Sequence, residues 1–463
     1  MIFSQITYLI IGLTLFHLLI TRRVSLFQVY VFLLPFHSWY FNLGLNIFAS
    51  QIIIIIMMAK IFLLQPEKAR YFFYLRNPAI TIYLAFSVIV TVIMTAIYHG
   101  QFLDLGGFFR SEGRFISQIL LLAVSLSIIP LSYNYLKNLK DVKSTIKTFL
   151  NAIIVLTILG WVQLVIFYIF YYDIFPLAIN EDGIIRSGVW KTSGFNFFRM
   201  SSLGGEPKSL SITLVLGFFI LKVFNKNNLF FYGKYDKVIK LILLITTIAT
   251  ASTSGLTLLI ILYISDFLFD LFQSNIRLRA KNILFAIITF GIIASITSIY
   301  WEYISVYLNA RLLDRNLVGE DFDYPIQEFL TAHIEFIPLG TGLGNAHNFA
   351  NPYIPAETSH YMDNSIFVAK SGYLKLISEI GVIGFFIFCI IPISIYSKIR
   401  CFRRTMIIGI AGKYIINSFL SLLFLFFIGF LARSYMLNEL LLLFAIGFCI
   451  VEIIKHWVKP KYS

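Results

Sequence analysis

The run TFLNAIIVLTILGWVQLVIFYIFYY, Thr148 to Tyr172, contains no charged residue. Coiled as an α-helix it would be about 37 Å long, enough to cross the roughly 30 Å hydrocarbon core of a bilayer. It is too long for a strand and apolar all round, so it reads as a membrane span rather than one face of a soluble helix. The same composition recurs outward in both directions. Candidate spans fall at 6–21, 24–39, 42–64, 79–98, 115–132, 148–172, 207–224, 238–253, 255–271, 282–299, 372–396, 414–432 and 436–453. The spans at 24–39 and 255–271 are the shortest. The 463 residues are 59% hydrophobic and only 13% charged, with mean hydropathy +0.83, both departures from a soluble domain in the same direction. The expected fold is therefore all-α: a polytopic helical membrane protein of about 13 transmembrane helices, forming one integral membrane domain over 1–463. Neither a soluble domain nor a low-complexity linker interrupts it. Two connections are long, 173–206 and 300–371, and long connections in compact proteins tend to carry function.

The net charge of +14 could point to nucleic acid, but the chain has no basic block and no interleaved basic and aromatic motif. Its distribution gives another explanation. Taking alternate connections as one side of the membrane, that side holds 26 of the 37 Lys and Arg and 6 of the 23 acidic residues. By the positive-inside rule that side is cytoplasmic, which places the N-terminus outside, the C-terminus in the cytoplasm and both long connections outside. The first span ends at Arg22-Arg23 without a small-residue cleavage site and reads as uncleaved. Cys389, Cys401 and Cys449 lie in or beside apolar runs without metal-ligand spacing, so they read as buried thiols and imply no disulfide framework.

Ionisable groups at membrane depth or at a helix rim mark candidate sites. The outer side carries few cations, and most are arginines: Arg110, Arg114, Arg186, Arg199, Arg311, Arg315 and Arg433. A guanidinium fork suits phosphate and carboxylate better than an ammonium. Any one of these arginines could equally pair with an outer acid or anchor a helix. Arg199 stands out because it precedes Met-Ser-Ser-Leu-Gly204-Gly205-Glu206-Pro207 at the start of a span, where free amides would favour an anion. Glu206 there either orders Arg199 or stabilises the helix start.

A second constellation lies in the large outer connection. Gly340-Thr-Gly342-Leu-Gly344-Asn345 resembles a phosphate-binding glycine string, but no strand precedes it, so a tight turn at the membrane surface is the better reading. Around it lie His333, His347, His360, Glu357, Asp363 and Asn364, which are general-base candidates or a polar loop surface. Their spacing does not support zinc. Ser371-Gly-Tyr-Leu-Lys375-Leu-Ile-Ser378-Glu379-Ile-Gly381-Val-Ile-Gly384 follows. Lys375 and Glu379 share a helix face, where an ion pair is the default expectation, and Gly381 and Gly384 would allow close helix packing. A third constellation, Thr253-Ser254-Gly255-Leu-Thr257, joins two spans with almost no loop. It either lines a polar pocket or caps helix ends.

In this order and placement, these segments resemble the O-antigen polymerase and O-antigen ligase superfamily, the Wzy/WaaL-type membrane glycosyltransferases. The resemblance rests on Arg199 with Ser202-Leu-Gly-Gly-Glu206-Pro207 entering a helix, then Ser252-Thr-Ser254-Gly255-Leu256 between two helices. It continues with Ile337-Pro-Leu-Gly340-Thr-Gly-Leu-Gly344-Asn345 and then Tyr373-Leu-Lys-Leu-Ile-Ser-Glu379-Ile-Gly381-Val-Ile-Gly384. Each motif is degenerate alone; their order covers most of the chain.

The resemblance implies a bacterial inner-membrane glycosyltransferase with its active site facing the periplasm or outside. An undecaprenyl-pyrophosphate-linked oligosaccharide would be the donor, with no nucleotide sugar, cofactor or obligatory metal, and a chain-length regulator would be a protein partner. Arg199, His360 and Glu206 are then the catalytic candidates, with Arg311, Arg315, His347, Glu379, Arg433 and Ser254 as substrate-binding candidates. In ligase-like members a His-Asn pair precedes the Tyr-Leu…Glu…Gly helix, whereas this chain has Lys370 and Ser371 there. That departure favours a polymerase over a ligase. From another class, a lipid-linked oligosaccharide flippase would need charges inside the bundle and two related halves; the sequence has no internal repeat.

Overall fold

The computed structural model describes residues 2–42, 46–64, 67, 78–98, 113–175, 189–192, 195–273, 329–331, 334–346, 349, 371–405, 410–430 and 437–457. The expected span 282–299 and most of the connection 300–371 lie outside the described residues. So do Arg110, Arg186, Arg311, Arg315, His333, His347, His360 and Arg433.

Among the described residues the α-helices are α1 (Ile2–Ile20), α2 (Leu26–Leu33), α3 (Ala49–Leu64), α4 (Pro78–Ile97), α5 (Arg114–Leu126), α6 (Ile128–Ser132) and α7 (Leu139–Phe170). They continue with α8 (Pro207–Lys226), α9 (Asp236–Ala249), α10 (Thr253–Gln273), α11 (Gly372–Thr405), α12 (Ile410–Gly429) and α13 (Leu437–Trp457). Two short antiparallel hairpins complete the set, β1 (Tyr40–Asn42) with β2 (Asn46–Phe48), and β3 (Val189–Thr192) with β4 (Phe195–Phe198). Eight of the helices are long and apolar enough to cross a membrane, so the protein is a helical membrane protein of many passes.

Local sequence sets the boundaries. Asn138 caps α7 by accepting from the Lys140 and Asp141 amides, and Asp141 accepts in return from the amides of Lys137 and Asn138. The helix stops at Tyr171, which turns left-handed at φ 55°. Two expected spans come out shorter than read. A Ser25–Gln28 capping box opens α2, and Pro35 prevents its continuation, leaving eight residues, about 12 Å. The first residues of the span expected at 42–64 form the β1–β2 hairpin, so α3 is only about 24 Å long. Apolar content alone cannot separate a short buried helix from a span.

The interior is built on α8 and α13, whose most apolar windows are 89% and 83% buried; the corresponding window of α1 is 0% buried. Outward faces stay apolar at helical spacing, as at Ile82, Ile89 and Ile93 of α4 and Phe386, Ile390 and Ile393 of α11, which suits lipid on that side. Contacts between helices fix their directions. Thr91 and Tyr83 of α4 meet the glycine loop and Phe388, and Ser132 meets Cys449. The N-terminal ends of α5, α8, α11 and α13 and the C-terminal ends of α4 and α7 thus share one end of the bundle. Lys137, Lys140, Lys143, Lys147 and Lys234 gather at the other.

One charge pair departs from the sequence reading. Lys222 and Asp266 were counted with the cytoplasmic connections, yet Lys222 Nζ lies 2.8 Å from Asp266 Oδ2 inside the bundle, with Asp266 buried. The ammonium also sits 3.8 Å from the Tyr263 ring centroid. Removing one partner of such a pair strands the other charge. Lys222→Met should therefore destabilise the protein by about 3 kcal/mol, and Lys222→Met with Asp266→Leu should recover most of it. Melting temperatures in mild detergent measure both.

Candidate functional site

The segment from Phe198 to Pro207 is held from three directions. Arg199 lies between two fully buried residues: Phe198 stacks on Phe167 with centroids 4.0 Å apart, and Met200 fills the space over Gly160. Gln163, buried near the end of α7, accepts from the Ser201 and Ser202 amides at 3.1 and 2.7 Å. Its Nε2 donates to Ser201 Oγ, Asp173 Oδ1 and the Phe175 carbonyl. From the other side Ser38 Oγ donates to the Leu203 carbonyl at 2.6 Å and also bonds Tyr8 of α1. The buried Ser201 and Ser202 amides and the Leu203 carbonyl thus each find a side-chain partner, as peptide groups removed from water require. Sequence reading missed Gln163; an uncharged amide inside the decisive span at 148–172 was the available signal. Burial pushes the Asp173 carboxyl above its usual range, against the hydrogen bonds from Gln163 and the Phe175 amide that pull it down.

Glu206 is exposed at the N-cap of α8, and its side chain makes no capping hydrogen bond; Pro207 takes the first helical position. The Thr253–Thr257 constellation does lie beside this helix start. Gly255 of α10 packs directly on Ser211 of α8, leaving no room for a Cβ. The Gly255 amide points to Ser252 Oγ at 3.4 Å, and Ser254 is half-buried. Helix capping and close packing therefore account for the Ser252 and Gly255 positions.

The glycine string 340–344 and the Glu379–Gly381 segment interlock. Helix α11 is broken at Gly381, whose φ 69° and ψ 179° are open essentially to glycine alone. The break opens the two helical bonds that Val382 and Ile383 would make. Four bonds to the loop replace them: Val382 and Ile383 amides donate to the Ile337 and Pro338 carbonyls at 2.8 and 3.2 Å. The Thr341 and Gly342 amides donate to the Ser378 and Glu379 carbonyls at 3.0 and 2.7 Å. A Cβ on Gly340 would sit 2.5 Å from the Gly381 nitrogen. The string is thus a buried packing wedge rather than an exposed surface turn.

This wedge also fixes two charged residues. Glu379, buried, accepts from the Gly344 amide at 3.1 Å. The expected Lys375–Glu379 ion pair is not made; the carboxylate takes the Gly344 amide instead. Arg114, buried at the start of α5, flanks Gly344 from the other side, where a Cβ would meet its Nε at 3.2 Å. Thr91 Oγ1 accepts from the Leu343 amide, and Asn345 donates to Thr95 Oγ1.

A fourth feature was not singled out from sequence. His37, in the turn after α2, places Nε2 3.3 Å from Glu439 Oε1 in the first turn of α13, and its backbone lies against Gly205. Glu439 is 3% exposed. The partners are 402 positions apart, beyond any motif. Among the described residues no three His, Cys, Asp or Glu gather as a metal site. No protein-family model matches the chain, and no curated protein is significantly similar to it.

Three outcomes follow. Gly381→Ala should lower stability by at least about 2 kcal/mol through the forbidden backbone region and collision with Pro338, read as a lowered detergent melting temperature. Gln163→Leu, which strands the Ser201 and Ser202 amides, should cost about 2–4 kcal/mol and open the 199–206 turn to limited proteolysis. A raised carboxyl binds its proton more tightly when folded, so that contribution is present at acid pH and lost as pH rises through the folded value. Asp173→Asn should therefore gain melting temperature over the wild type as pH moves from acid to neutral.

Proposed function

We propose that this protein is a membrane glycosyltransferase, a surface-polysaccharide polymerase. It would move glycan from an undecaprenyl-pyrophosphate-linked donor to the terminal sugar of another lipid-linked repeat. The observation that carries the reading is the immobilised Arg199 turn. Arg199 sits between two buried anchors, on a turn whose Ser201 and Ser202 amides are clasped by Gln163 and which leads into the amino end of α8. A pyrophosphate leaving group needs pre-placed positive charge more than a proton, and a fixed arginine beside a helix start supplies it without reorganisation. Its neighbours fit the same end: the α10 start on Ser211, and the Arg114–Gly344–Glu379 cluster. The lysines at the opposite end support a cytoplasmic location for that end, with the Arg199 end facing outside and the chain resident in a bacterial inner membrane.

A second reading, a flippase for the same kind of lipid-linked sugar, is favoured by one observation. Buried Asp266 of α10 pairs with Lys222 of α8, a charge pair held against the bundle away from the Arg199 turn. Gene deletion separates the readings. Loss of the polymerase leaves single-repeat surface glycan, loss of a ligase leaves no attached glycan, and loss of a flippase leaves lipid-linked repeat facing the cytoplasm.

Arg199→Ala should abolish polymerisation with membrane insertion intact, and Arg199→Lys should restore little of it because the bidentate fork is missing. Normal glycan chain length in Arg199→Ala would overturn the reading. Orientation is checked by a membrane-impermeant maleimide, which should modify the exposed Cys401 only from the cytoplasmic side.

A further inference from the structure

Taking the transferase reading as its basis, we infer that His37, oriented by Glu439, is the base that accepts the proton of the acceptor hydroxyl. Three observations converge on this pair. Glu439 is 3% exposed, and its Oε2 has no hydrogen-bond partner among the described residues. A carboxylate retained only for packing would have both oxygens satisfied. Glu439 also lines a small cavity of about 20 Å³ between α7, α8, α12 and α13, whose wall is otherwise apolar except for Thr145. Finally, Oε1 meets His37 Nε2, while the other ring nitrogen of His37 has no partner among the described residues and the side chain is 16% exposed.

The arrangement is that of a base held by a carboxylate. Glu439 Oε1, 3.3 Å from Nε2, favours the tautomer with hydrogen on Nε2, which leaves the lone pair of Nδ1 available. Position agrees with this role. His37 packs against Gly205, within the turn that carries Arg199, and the neighbouring Ser38 holds that turn through the Leu203 carbonyl. Charge on the leaving group and removal of the hydroxyl proton are thereby served from one turn and its immediate support. In the step, the acceptor O–H bond breaks and its proton passes to His37 Nδ1. The acceptor oxygen forms the new bond to the donor's anomeric carbon. The bond from that carbon to the phosphate oxygen breaks, and the lipid pyrophosphate departs with its electron pair. Glu439 then faces an imidazolium, so the buried pair carries no net charge after transfer. The titratable groups around the pair are Tyr30 of α2, Glu439 of α13, Glu206 beside Gly205, and Tyr8 and Tyr40 flanking the His37 turn.

The test uses the full-length protein in lipid vesicles with a synthetic lipid-linked repeat as donor and acceptor. If the wild type transfers no glycan, the transferase reading fails before the variants are compared. Given transfer, His37→Gln should lower kcat at least 100-fold with KM little changed, the scale of a lost general base. A His37→Gln rate within threefold of wild type overturns the assignment. Should His37→Gln fail to fold, Glu439→Gln decides. It should lower kcat at least tenfold and displace the acid limb of the pH–rate profile, whereas an unchanged kcat and profile overturns the assignment.

Discussion

Every backbone amide and carbonyl removed from water must find a partner, and in a bilayer the helix is the usual way to provide it. Where this protein abandons the helix below the surface, another segment takes over the pairing. At Gly381 the loop 337–342 supplies two carbonyls and two amides to the broken turn. At Ser201–Leu203, Gln163 and Ser38 do the same with side chains. These are the places where the chain departs from simple crossing, and charged residues collect beside them: Glu379 and Arg114 at the first, Arg199, His37 and Glu439 at the second. Irregular backbone and ionisable side chains have the same requirement, a protein environment in place of lipid. They are consequently found together.

Much of this was legible in the sequence. Uninterrupted apolar runs announced the helices, and the 148–172 run stands as the core of α7. Length was harder to read. Pro35 and the residues around Tyr40 are as compatible with a span as with a turn and hairpin, because apolar content does not report direction. The motif segments were visible as punctuation, Gly-Gly-Glu-Pro and the glycine string, but their meaning was not. Gly340 read as part of a tight turn and Gly381 as a helix-packing position, whereas they touch across 41 positions. Lys375–Glu379 spacing suggested an ion pair, but Glu379 bonds the Gly344 amide instead.

Pairs assembled across the whole chain left no local signature. His37 and Glu439 lie near opposite ends of the sequence, and Lys222–Asp266 was hidden among residues that look like ordinary basic connections. Charge counting assigns a side of the membrane correctly only for groups that stay in water. Once Lys222 folds back over Tyr263 onto Asp266, it belongs to the interior, and its charge is balanced within the bundle.

The interlock at Gly381 also has a consequence for biogenesis. The segment Gly372–Thr405 is apolar enough to leave the translocation machinery as one unbroken helix, with Val382 and Ile383 bonded to the turn below in the ordinary way. Opening those bonds in lipid without the loop would leave four peptide groups without partners. The break and the docking of Ile337–Gly342 therefore depend on each other, since two local bonds are exchanged for four distant ones. The shape of α11 is set as much by a segment earlier in the chain as by its own sequence.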